Sequence, residues 1–218
     1  EIIDLGKAQN DITICHLLTH TSGIGSEPAK TQKMTDEDKK TITNTIGFYA
    51  KAGLDFEPGT KQKYSGIGAF DVLTKIIENI TKTDYLHFLQ QEIFEPCEMV
   101  NTTFIPTGEQ WKQIIAMHNK IDGNNSVAKM KENCVFADYP CTHYLGGAGL
   151  VSTLDDYSKF AKMLLNKGKT LKKQILSEKT FRLLHTPFVS EEIMPSNERW
   201  GLGVRVIVEE SYKTLPVG

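Results

Sequence analysis

Residues 64–81 read YSGIGAFDVLTKIIENIT, and the fold turns on this stretch. Its apolar residues Ile67, Phe70, Leu73, Ile76, Ile77 and Ile80 recur at three- and four-residue spacing. That spacing predicts a helix over 66–80 with one apolar face. Tyr64 and Ser65 stand just ahead of its first turn, after the alternating Lys61-Gln62-Lys63. A helix N-terminus favours negative charge, and nearby ammonium groups do the same. A phenol at that point is suited to general acid–base work. The plainer reading, a tyrosine of the core or its rim, fits the spacing at least as well.

Further elements follow on either side. Asp11 to Leu18 reads as a short helix, with Asp11 or Thr13 as its cap and Ser22-Gly23 as its stop. Residues 27–40 are polar and of mixed sign, as in a solvated loop, and lead into a helix near 36–50. Glu57-Pro58-Gly59 marks a turn. C-terminal to the main helix, 84–91 reads as a helix capped by Thr83, and Pro96 closes that region. Residues 101–143 are irregular, and Asp122-Gly123 suggests a hairpin or long loop. Gly146-Gly147-Ala148-Gly149 reads as a tight turn where backbones approach closely, with the wall of a cleft as the functional alternative. Thr153 and Asp156 resemble a capping box before a helix that runs to Leu165. A short helix covers 177–184, and 200–208 alternates like a single strand without an obvious partner.

Composition narrows the possible functions. The chain has 218 residues, with 25 Lys and Arg against 27 Asp and Glu, a net charge of −2. There is no basic excess for a nucleic-acid backbone, so nucleic acid is not an expected partner. No apolar run approaches the ~20 residues of a membrane-spanning helix, and no signal peptide is visible. The opening Glu1-Ile2-Ile3 reads as the interior of a longer polypeptide. The four cysteines, Cys15, Cys97, Cys134 and Cys141, form no C-x-x-C pair and read as free, mostly buried thiols. A Cys134–Cys141 bridge stays open if the protein is exported.

Several catalytic patterns fail on inspection. His16 and His20 lie one helical turn apart, but Leu17 stands where a zincin carries Glu, so no metal is expected. The residues two before Ser22, Ser65 and Ser152 are His20, Lys63 and Leu150, so the G-x-S-x-G elbow is absent. One Ser-x-x-Lys exists, Ser126 to Lys129. With ten Ser and 22 Lys in the chain, about one chance match is expected, so its presence decides nothing. It also follows Asn124-Asn125 in a loop-like stretch.

Four segments occur together and in order: ITICHLLTHTSGI at 12–24, FEPGTKQKYSGIGAFDVLTKIIENIT at 56–81, IFEPCEMVNTTF at 93–104 and GGAGLVSTLDDYSKFAKMLLNKG at 146–168. The set resembles the serine beta-lactamase-like superfamily, which includes class C beta-lactamases, D-alanyl-D-alanine peptidases and beta-lactamase-like carboxylesterases. WGLGVRV at 200–206 is similar to the same pattern. The resemblance implies an α+β fold over 1–218: a mostly helical region about 12–168, and the start of an antiparallel C-terminal sheet about 200–218.

The same resemblance implies three chemical motifs. An S-x-x-K would precede HLLTHTSG and a K-T-G-like motif would follow WGLGVRV; neither is in the chain. Tyr64-Ser65-Gly66 resembles the middle motif, Y-x-N. It implies Tyr64 as the catalytic tyrosine that relays a proton between nucleophile and leaving group. Gly66 takes the substrate-binding place where penicillin-recognising members carry Asn. The expectation is therefore a serine hydrolase acting on a small-molecule ester, amide or peptide, with esterase or peptidase favoured over beta-lactamase. No cofactor is needed, and these 218 residues alone are expected to be inactive. The alternatives are a non-catalytic ligand-binding relative and a zinc peptidase using His16 and His20.

Overall fold

The computed structural model describes residues 11–25, 33–115 and 144–208, with the backbone of 118–121 and 124–127. Helix α1 (Ile14–Leu18) starts at Thr13, whose hydroxyl accepts from the His16 amide while His16 Nδ1 accepts from the Thr13 amide. This reciprocal cap satisfies two amides that a helix start leaves unpaired. Helix α2 (Ile42–Ala52) begins later than its pattern suggested, because Thr41 caps it and Thr35 and Asp38 close a separate turn. It buries Ile42, Thr45, Ile46 and Tyr49, which lie on one face at helical spacing.

Helix α3 (Gly68–Thr81) confirms the central expectation of a helix and only part of its apolar face. The fully buried residues are Gly68, Ala69, Asp71, Val72 and Thr74, whereas Ile80 is exposed. One side of α3 packs with Leu17, Ile24, Ile46 and Tyr49. Another side meets the glycine turn at 146–147. Small residues on α3 allow both neighbours to come close, while Phe70, Leu73 and Ile76 of the expected face pack half-buried against the same cluster. Each buried Leu or Ile in this cluster contributes about 1.5–3 kcal/mol.

Helix α4 (Tyr85–Leu89) is capped by Asp84, not Thr83, and runs into a π-helical turn, Gln90–Phe94. Leu86, Phe94, Cys97 and Met99 pack there with Met163 of α6 (Leu154–Leu165) as a second core. Between them lies α5 (Gly108–Gln113). Strands β1 (His118–Ile121) and β2 (Asn124–Val127) pair antiparallel with Ile121 opposite Asn124, which is the hairpin of the two forms expected, a hairpin or a long loop. Helix α7 (Glu178–Leu184) is capped by Ser177.

Two further expectations change. Residues 200–208 are not one strand: β3 (Glu198–Trp200) and β4 (Arg205–Ile207) form an antiparallel hairpin, so the partner starts just ahead of the segment and ends at its first residue. Thr153 does cap α6 through the Asp156 amide, but the Asp156 carboxylate does not return to the cap. It accepts instead from the Asn101 amide at 2.6 Å, the Thr102 hydroxyl and Lys159. Cys15 is half-buried and Cys97 buried, both as free thiols, and burial pushes both thiols up. Cys134 and Cys141 lie outside the described residues.

Candidate functional site

The end of α1 determines the site. Thr21 N–H donates to His16 O and His20 N–H to Leu17 O, the paired bonds of a Schellman ending. Glycine usually fills the left-handed position of that motif, but here His20 does, at φ +56°. From that point the chain runs alongside 54–63. Lys63 N–H donates to His20 O, Gly59 N–H to Thr21 O and Asp55 N–H to Gly23 O.

The His20 side chain is 2 % exposed, and its Nδ1 accepts from the Ser65 amide at 3.1 Å. The residues on both sides of Tyr64 are therefore bonded to His20, one to its carbonyl and one to its ring. Ser65 Oγ in turn accepts from the Ala69 amide in the first turn of α3. The Tyr64 ring lies 4.5 Å from the imidazole and stacks over Trp200 at 6.2 Å. Trp200 is buried and meets His20 edge-on at 4.4 Å. The β3–β4 hairpin that carries Trp200 is tied to α1 by Gly203 N–H donating to Leu18 O.

Tyr64 is thus 63 % exposed on a buried aromatic floor, neither a core residue nor a free surface side chain. Among the described residues its hydroxyl has no hydrogen-bond partner. Arg205 lies 5.2 Å over Trp200 and pairs with Glu198. Burial, with Arg205 adding repulsion, pushes His20 down to about 4, so the imidazole is neutral near pH 7 and Nδ1 is an acceptor. The lysine beside Tyr64 is engaged elsewhere: Lys63 Nζ pairs with Asp55 at 3.1 Å.

Gly66 sits where its carbonyl meets Gly147; a side chain at 147 would collide with it. The glycine turn is therefore a place of close backbone approach. Gly146 N–H donates to the buried Asp71 carboxylate at 2.9 Å. Burial raises Asp71 to about 7, against the lowering effect of that bond. His16 and His20 are used differently: His16 Nδ1 serves its own helix cap, and His20 Nδ1 serves Ser65. Ser126 lies on β2 opposite Asn119, so it lacks the helical setting that brings a Lys three residues on back to the hydroxyl. Lys129 lies outside the described residues. Concavities occur beside Cys97, Lys159 and Thr170, and among Asn101, Gln110 and Thr153; Tyr64 lines neither.

Reading the residues alone missed His20 as a neighbour of Tyr64, since 44 positions separate them. It missed Trp200 for the same reason. Both lie in segments that carried the resemblance, HLLTHTSG and WGLGVRV, which was the available signal.

This chain belongs to the beta-lactamase family, whose profile matches residues 3–208. It is 28 % identical over 205 residues to the N-acetylmuramyl-L-alanine amidase of Bacillus subtilis (strain 168), covering 86 % of this chain and 46 % of that protein. It thus spans about half the length of that curated relative. Among solved structures it is similar to EstCE1, a hydrolase with promiscuous acyltransferase activity, at TM-score 0.72 and 22 % identity. That match covers 92 % of this chain and 57 % of the other. It is also similar to the penicillin-binding protein of Bacillus halodurans, at TM-score 0.68 and 17 % identity over 89 % of this chain and 56 % of that one. At those identities the likeness speaks to the fold, which is the beta-lactamase and penicillin-binding-protein fold. No described helix is long and apolar enough to cross a membrane.

Proposed function

We propose that residues 1–218 are part of one beta-lactamase-like domain of a serine hydrolase, with Tyr64 as its proton relay. The observation that carries this reading is the Tyr64 phenol, open to solvent while its ring rests on His20 and Trp200. In the proposed reaction a serine hydroxyl attacks the carbonyl carbon of an ester or amide. Its proton passes by way of a lysine and Tyr64 to the departing alcohol or amine as the old bond breaks. Water then attacks the acyl-enzyme, and its proton returns to the serine. Backbone amides stabilise the tetrahedral oxyanion.

The serine and lysine of this scheme are not Ser126 and Lys129. They belong to sequence beyond these 218 residues, so the chain by itself is inactive. Gly66 would face the substrate without the amide-binding side chain that Asn supplies in penicillin-recognising members. Esters and peptides are therefore better substrates than beta-lactams in this reading. The hydrolase names of its relatives support the reaction class.

The test offers a chromogenic ester and a chromogenic cephalosporin to the 218-residue chain and to the full-length protein. The expected result is ester turnover by the full-length protein alone, reduced ~100-fold or more by Tyr64→Phe. Turnover by the 218-residue chain that is lost on Ser126→Ala would overturn the proposal.

A further inference from the structure

The geometry points to His20 as the positioning residue of the Tyr64 phenol, holding the chain on both sides of it and the ring beneath it. This rests on the reading of Tyr64 as the proton relay. The His20 carbonyl accepts from Lys63 N–H at 3.0 Å and its Nδ1 from Ser65 N–H at 3.1 Å. Between those two anchors the Tyr64 backbone has little freedom, and the imidazole sets the height and tilt of the phenol ring at 4.5 Å and 40°.

The backbone argues the same way. His20 occupies the left-handed position at φ +56° that ends α1, where glycine is the least costly residue. Lys82, Glu98 and Lys167 take the same left-handed angle in this chain, so the conformation is an ordinary helix ending. What distinguishes His20 is that the turn it makes carries its carbonyl and its ring to the two residues that flank Tyr64.

The ring is also protected from competition. It is enclosed by Tyr64, Phe70 and Trp200, with centroids 4.5, 5.5 and 4.4 Å away. Tyr64 alone of this group is exposed, so the aromatic packing presents a single polar tip to solvent.

The test compares His20→Asn, His20→Gln and His20→Gly with Tyr64→Phe in the full-length protein, by steady-state kinetics on a chromogenic ester. Asparagine tolerates the left-handed backbone and puts an oxygen near the place of Nδ1; glutamine carries its oxygen further out and misses the Ser65 amide. The expected result is a kcat about tenfold or more lower for His20→Gly and His20→Gln, with KM within about twofold, since misplacement harms the reacting geometry more than binding. His20→Asn should recover most of the rate. In the Tyr64→Phe background the same His20 changes should cost less than about twofold, because the group they position is gone. A merely structural role would cost the same in both backgrounds. Equal rates for the Asn and Gln variants would overturn the inference, as would an undiminished loss in the Tyr64→Phe background. If His20→Gly does not fold, the Asn and Gln pair decides. Unchanged turnover in Tyr64→Phe itself would instead refute the reading of Tyr64.

Discussion

Asp71 and His20 are both buried and titratable, and they respond to pH in opposite senses. The Asp71 carboxyl has one oxygen on the Gly146 amide and the other without a partner among the described residues. Burial raises it from 3.8 to about 7. Because the folded form holds this proton more tightly than the unfolded form, stability is lost as pH rises from about 4 to 7. Asp71→Asn keeps an acceptor for Gly146 and removes the charge. It should raise the denaturation midpoint more at pH 8 than at pH 5; the same gain at both would contradict this account. His20 is depressed from 6.5 to about 4 by burial and then by Arg205. The unfolded chain binds that proton first, so stability falls as pH drops from about 6.5 toward 4. The loss attributable to His20 is about 2 kcal/mol once solvent screening is allowed for. Urea unfolding at pH 7 and pH 4.5, with His20→Asn lacking this part of the slope, checks it.

At the scale of elements, the joints between helices are made by side chains with two partners. Asp156 is the clearest. Its amide closes the Thr153 cap of α6, while its carboxylate fastens the 101–102 segment. Burial pushes this carboxyl up, but the Asn101 amide, Lys159 and Thr102 outweigh it and hold it below its ordinary value. Asp156→Ala leaves the Asn101 amide unpaired and should destabilise by about 2–4 kcal/mol, measured as a lower urea midpoint at constant slope. The glycine turn is the other joint. A β-carbon at Gly147 would strike the Gly66 carbonyl. Gly147→Ala should therefore push the turn away from Tyr64-Ser65-Gly66 and lower ester turnover as well as the melting temperature. An unchanged melting temperature would mean that the turn gives way freely.

At the scale of the molecule, three distant stretches converge on one phenol: 16–24, 55–66 and 198–207. The β3–β4 hairpin contributes Trp200 from beneath. Trp200→Ala would empty the floor under Tyr64 and His20, and should cost about 3–5 kcal/mol of folding stability. Chemical denaturation measures that loss, and a cost under 1 kcal/mol would show the hairpin to be loosely docked.

Local pattern was legible in the residues themselves. Helices α2 and α3, the pairing of β1 with β2 and the cap at Thr13 follow from short-range spacing and hydrogen-bonding chemistry, which act within a few residues. Tyr64 was legible as a candidate because its neighbours resembled a known motif. The buried face of α3 was not, because it depends on what packs there: a helix on one side and a glycine turn on the other favour Ala69, Asp71 and Thr74 inside over larger residues. Nor was the partnership of His20, Tyr64 and Trp200. A hydrogen bond across 45 positions and ring contacts across 44 and 136 leave no periodic trace in a sequence. Only closure of the chain on itself brings those groups within reach, and that closure decides which tyrosine faces solvent with its neighbours held still.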